Sequence, residues 1–155
     1  FERLNEIEAA EKEFKKILDY NPQHAASLNY LGYMLADREL RLEEALNYIE
    51  RALDQDPHNG AYLDSLGWVY FKLERLDLAE KNLVLANQVN REDSTILEHL
   101  GDLYLKLGDP ALALDYYRKS VTMAENPEEL KKIEEKLTAL ERTSHNSRNH
   151  REKNR

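Results

Sequence analysis

Apolar residues recur along the chain in short groups that return at a fixed interval. Three Leu-Gly pairs, Leu31-Gly32, Leu66-Gly67 and Leu100-Gly101, set glycines 35 and then 34 residues apart. Leu28, Leu63 and Leu97 stand three residues before each pair's leucine. Leu35, Tyr70 and Tyr104 stand three after each glycine. Further on come Ala45, Ala79 and Ala113, then Ile49, Leu83 and Tyr117, then the small residues Ala52, Ala86 and Ser120. Leu28, Leu31 and Leu35 fall at i, i+3 and i+7, one face of a helix. Each interval therefore predicts a pair of helices, with the glycine letting the second approach closely and the later alanine expected at the matching place on that second helix. A larger residue at either place would force the helices apart, at about 1–3 kcal/mol. One hairpin cannot bury its apolar face alone, so successive hairpins are expected to stack. Tyr70 and Tyr104 read as core.

The ends follow the same phase. Ala10 and Phe14 occupy second-helix positions of an earlier interval, so residues 1–24 read as the second helix of a truncated preceding repeat, in a chain that begins inside a longer array. Asn126-Pro127-Glu128-Glu129 reads as a helix start: Asn caps, Pro sits in the first turn, and Glu can reach back to the cap. Leu130, Ile133, Leu137 and Leu140 then form an apolar stripe, while Glu134 and Glu135 stand where a repeat needs a small residue. Residues 128–142 are expected to cap the last apolar face; the other reading is a helix that pairs with another protein. Residues 143–155 are polar, basic and nearly free of apolar side chains, and are expected to be a disordered tail, with His145 and His150 solvated.

On this period and these small-residue positions the sequence resembles the tetratricopeptide repeat (TPR) family. The resemblance implies an all-α, right-handed superhelical solenoid of TPR hairpins with a C-terminal capping helix. Repeat one would span 25–59, with one extra residue in the turn Asp37-Arg38-Glu39-Leu40-Arg41; repeat two 60–93; repeat three 94–127. Repeat one ends in Asp56-Pro57 as the family does. Repeat two has Asn90-Arg91 where proline is usual, and repeat three has its proline late, at Pro127; turn geometry should feel this more than the stack. In the family, first helices line a concave groove that holds a peptide or protein partner. Carried over, that groove would comprise Asn29, Tyr30, Tyr33 and Asp37, then Asp64, Ser65, Trp68, Phe71 and Lys72, then Glu98, His99, Asp102, Leu105 and Lys106. Tyr and Trp suit binding because they bury much area at low entropic cost. Tyr30 and Tyr33 either line the groove or pack on a neighbouring repeat; Trp68, beside the thin Gly67, is expected to be exposed in it. Asp64, Glu98 and Asp102 either bind or form a solvated face. The Lys, Arg and Asn set with which one subgroup of the family grips a carboxylate tail is absent. Stretches such as Tyr62-Leu63-Asp64-Ser65-Leu66-Gly67-Trp68-Val69-Tyr70 resemble bacterial multi-repeat proteins, many exported and some of them outer-membrane lipoproteins serving as adaptors for periplasmic proteases. A bacterial envelope origin is implied, with the cytoplasm as alternative.

Composition narrows the chemistry. The 155 residues carry a formal charge of −8. The last thirteen hold four basic residues against Glu152, which leaves the body still more acidic. Such a body disfavours nucleic acid and anionic lipid and favours a basic or neutral protein partner. No apolar run approaches a membrane span. With no cysteine, thiolate chemistry and cysteine metal sites are excluded. The glycines form no phosphate-cradling loop and no HExxH spacing occurs, so neither cofactor nor metal is expected; His99 near Glu98 and Asp102 reads as a hydrated histidine among acids. Ser65 and Ser94 have no recognisable base. Two classes remain: a non-catalytic adaptor binding a partner in its groove, and a self-assembly module forming homo-oligomers through the array.

Overall fold

The structure, a computed structural model, describes residues 2–154. Among these, all regular structure is helical: α1 (Glu2–Tyr20), α2 (Ala25–Asp37), α3 (Leu42–Gln55), α4 (Gly60–Lys72), α5 (Leu76–Val89), α6 (Ser94–Lys106), α7 (Pro110–Met123) and α8 (Pro127–Lys153). The pairs α2–α3, α4–α5 and α6–α7 form the three expected hairpins. The first helix of each pair starts on a side-chain cap. His24 Nδ1 accepts from the Ser27 amide, Asn59 Oδ1 from that of Tyr62, and Asp93 Oδ1 from those of Thr95 and Ile96, which satisfies donors that a helix start leaves orphaned. The chain divides into two compact units, one running to Asn90 and one starting at Arg91.

In the first unit, Leu35, Ala36, Ala45, Leu46, Ile49, Trp68 and Val69 make one buried cluster, with Leu53, Tyr70 and Phe71 against it. Ile7 of α1 joins Leu31 and Met34, flanked by Ala10, Phe14 and Leu18. The hairpin interface differs in one respect from the sequence expectation. A Cβ built on Gly32 would lie 2.4 Å from Ile49 Cγ1, and one on Gly67 2.6 Å from Leu83 Cγ. The residue crossing the glycine is therefore the large one four places beyond the alanine. Ala45 and Ala79 are fully buried, but they do not lie over the glycine with their side chains; Ala45 contributes its carbonyl oxygen, 2.9 Å from the same Cβ position on Gly32. Close backbone approach gives the bulky side chain a notch to fill.

The turns show how the extra residue in repeat one is absorbed. Glu74 alone is left-handed between α4 and α5, and Gly108 between α6 and α7, whereas the longer α2–α3 turn has both Glu39 (φ 55°) and Arg41 (φ 44°) there. Inserting a residue without unpacking the helices takes a second left-handed step.

In the second unit, α7 and α8 pack through Ala113, Tyr117 and Leu140, with Tyr104, Leu114 and Leu137 around them; Ile133 is fully buried. Tyr70 and Tyr104 are partly rather than fully buried, and Tyr104 stacks on Tyr116. Asn126 Oδ1 accepts from the Glu129 amide, and the Glu129 carboxylate reaches back past the cap to the amide of Glu125, the residue before it. The expected disordered tail is corrected: α8 continues to Lys153. Lack of apolar side chains denies the segment a packed face, but no Gly or Pro interrupts the helix. Thr143 and Ser147 bond the carbonyls four residues back. Arg151 and Lys153 lie at the C-terminal end, where the helix dipole favours positive charge.

Candidate functional site

The sequence-derived candidates stand on the first helices α2, α4 and α6, and the structure sorts them unequally. In the first unit, Asp37, Trp68, Phe71 and Lys72 come together. The Trp68 indole N–H donates to Asp37 Oδ1 at 3.3 Å. Phe71 stacks parallel on Trp68 with centroids 4.9 Å apart, and Lys72 Nζ sits 4.8 Å over the indole while pairing with Glu39 at 3.2 Å. The i, i+3 and i, i+4 spacings on α4 make this possible. The helix presents Phe71 and Lys72 beside Trp68, and the α2 C-terminus supplies Asp37. Trp68 is only 5% exposed, which corrects the expectation of an open tryptophan: Gly67 yields its space to Leu83, while Trp68 is walled by its own cluster. It is the floor of the site. Tyr33, half-buried, packs against the same core.

Tyr30 lies apart from this cluster. It is half exposed and stacks on Phe14 of α1 at 4.4 Å, so its ring is supported from behind and open in front. Asn29 is half-buried, and its Oδ1 is shielded from solvent without a donor. Asp64 and Ser65 are buried and offer no solvated acidic face.

In the second unit, Glu98 and His99 are also buried, while Leu105 and Lys106 are exposed. The acidic pair is already neutralised. Lys136 of α8 places its ammonium 2.7 Å from Glu98 Oε1 and 2.9–3.0 Å from both oxygens of Asp102; Lys132 stands 3.5 Å from Glu98. Asp102 also accepts from the Tyr117 hydroxyl at 2.6 Å. Burial, then the charge and hydrogen bond of Asp102, push the Tyr117 phenol far above its ordinary value. Burial pulls the Lys136 ammonium down, but Asp102 and Glu98 outweigh it and its net shift is upward. Sequence reasoning missed both lysines because it treated α8 only as an apolar stripe. A signal was present: Glu98 and Asp102 are four apart, and Lys132 and Lys136 stand one 34-residue period later.

Among the described residues no helix is long and apolar enough to cross a membrane, and no group of three or more His, Cys, Asp or Glu could hold a metal ion. The tetratricopeptide repeat family model matches residues 1–59, 36–86 and 65–128. The chain belongs to the tetratricopeptide repeat family. It is similar to a TPR repeat-containing protein of Pseudomonas aeruginosa, 37% identical over 101 residues, which cover 65% of the chain and 17% of that protein. The chain spans less than half the length of the curated relatives it matches. Among solved structures it resembles TTC0263, a TPR protein of Thermus thermophilus, with a TM-score of 0.74 and 22% identity over 89% of this chain and 74% of that one. It also resembles YrrB, described as a TPR protein with an unusual peptide-binding site, with a TM-score of 0.60 and 27% identity over 76% of this chain and 60% of that one. Fold and family together make this TPR segment a non-catalytic scaffold of the protein-interaction class.

Proposed function

We propose that this TPR segment is an adaptor that binds an extended peptide, or an extended segment of a partner protein, against the inner faces of α2 and α4. One observation carries the reading: the half-buried Phe71 ring stacks flat on the closed-in Trp68 indole, which Asp37 fixes from the α2 end and Lys72 flanks, with the half-buried Tyr33 against the same core. A rigid aromatic surface with a polar rim loses little entropy when a ligand lies on it. Asp37 and Glu39 beside Lys72 give a mixed rim with a negative excess, which suits a neutral or basic segment. YrrB, with its peptide-binding site, supports the same use of the fold.

The test uses the chain's one tryptophan. Peptides selected by display on the purified protein are titrated while Trp68 fluorescence is followed, alongside calorimetry. Phe71→Ala and Tyr33→Ala should each weaken binding by about tenfold or more, a hot-spot loss. Trp68→Ala is unsuitable, since a buried tryptophan truncation unfolds the core it was meant to probe. Selected peptides that bind both variants as tightly as the parent would remove the groove assignment.

A second reading, self-association, is favoured by one flank of α5, where Leu78, Leu85 and Val89 are each 40–48% exposed. Light scattering across a concentration series tests it; a strict monomer at high concentration discards it.

A further inference from the structure

The ammonium of Lys136 has three N–H donors, and three carboxylate oxygens from two residues of α6 converge on it. The Glu98 and Asp102 side chains are 5% and 14% exposed, against 31% for Lys136. The acceptors are the more buried half of the arrangement and the lysine is the more exposed half. Tyr117, anchored in the α7–α8 core, also holds Asp102, donating its hydroxyl to Oδ1. Three oxygens meeting near one point suit a compact ammonium, and the narrow space occupied by a lysine stem and its single nitrogen favours that head group over the wider, planar guanidinium.

The way α8 is held makes the occupant separable. Its apolar stripe seats on α7 through Leu137 and Leu140, while toward α6 it extends the side chains of Glu129, Lys132 and Lys136. Lys136 can leave on its own four-carbon stem while Ile133 and Leu140 stay buried. The carboxylates occupy positions that the repeat pattern assigns to the inner face, and the lysines follow one period later, in register.

We propose that Glu98, Asp102 and Tyr117 form a lysine-recognition socket that the chain fills with its own Lys136, and that a partner segment presenting a lysine side chain binds there in exchange for it. The inference rests on the reading that inner helix faces of this protein receive partners, and it names the side chain that the second unit would read. Replacing one lysine by another leaves the buried carboxylates paired throughout, so the exchange avoids the penalty of an uncompensated buried charge. A tethered Lys136 competes at an effective concentration in the millimolar range, which blocks isolated lysines and admits only segments with further contacts.

The experiment empties the socket. Lys136→Ala in the full chain removes the stem beyond Cβ, leaving space for propylammonium. The expected result is a saturable rise in the variant's thermal midpoint with propylammonium chloride, absent with guanidinium or tetramethylammonium chloride at equal ionic strength. An acetylated, amidated pentapeptide with a central lysine should shift the α6 amide resonances of the variant at concentrations at least about tenfold lower than in the parent, because the tethered competitor is gone; its arginine counterpart should not. Should Lys136→Ala fail to fold by circular dichroism, Lys136→Gln carries the peptide arm. No ammonium rescue in a folded variant, rescue by all three cations alike, or equal peptide affinity for variant and parent each overturns the socket. These failures leave the α2–α4 reading standing, whereas insensitivity of selected peptides to Phe71→Ala and Tyr33→Ala removes that reading while the ammonium rescue can still succeed.

Discussion

Gly32→Ala tests why the repeat carries a glycine on its first helix. The added methyl would sit 2.4 Å from Ile49 Cγ1, 2.9 Å from Ile49 Cδ1 and 2.9 Å from the Ala45 carbonyl oxygen. Ile49 is fully buried and so is Ala45, so neither side chain nor backbone has free space to retreat into. Overpacking of this kind destabilises by about 1–3 kcal/mol. Alanine in place of glycine inside a helix returns about 1 kcal/mol of propensity. Because a backbone carbonyl is among the colliding atoms, the upper part of the overpacking range applies, and the net loss should be about 1–2 kcal/mol. Urea unfolding followed by Trp68 fluorescence is the fitting assay, since Trp68 belongs to the same buried cluster as Ala45 and Ile49. A double-mutant cycle isolates the cause. Ile49→Ala alone should cost about 2–5 kcal/mol through the cavity it opens, but in that background Gly32→Ala should cost distinctly less than in the parent, because the two Ile49 contacts are gone and only the Ala45 carbonyl still crowds the methyl. Strict additivity of the two substitutions, or a Gly32→Ala protein as stable as the parent, would refute the idea that the glycine is there to let Ile49 cross it.

Three further outcomes are expected. Glu11 is held below the ordinary carboxylate range first by its hydrogen bond to Arg41 and then by that to Lys15, against a smaller opposing effect of burial. A depressed folded value means stability that is present above the unfolded value of about 4.3 and lost as pH falls through the folded one, so the stability gap between parent and Glu11→Gln should close in acid urea titrations and stay open at pH 7. Deleting residues 143–155 should remove helical ellipticity yet move the unfolding midpoint by less than about 0.5 kcal/mol in stability, since the last buried side chain of α8 is Leu140; a larger loss would mean that the extension packs. Glu92 has φ 75°, and Glu92→Gly should stabilise by roughly 0.5–1 kcal/mol in a thermal melt by removing left-handed strain.

The periodic part of the architecture was legible in the sequence because it depends on local, repeating constraints. The glycines at 32, 67 and 101 with their leucines mark helices whose faces must be buried, and no partner is needed to see that. The cap at Asn126 was read on the same ground, since it acts on an amide three residues on. Tyr33, Trp68, Phe71 and Lys72 were expected on one face because the family resemblance implies it. Depth could not be read that way. Trp68 and Phe71 both lie on the face read as open, yet only Trp68 is closed in, because Asp37, thirty-one residues away, meets its N–H and the α2–α3 cluster walls it. The same holds for which side chain crosses each glycine, decided by the rotation of one helix against the other, and for Lys136, whose partners lie 34 and 38 residues back. Helical periodicity is a property of consecutive residues, so the sequence alone determined where helices run and which faces are apolar. Burial and charge pairing are properties of surfaces brought together after those helices form, and the tertiary structure alone decided that the acidic pair of α6 is already filled by a lysine of the same chain.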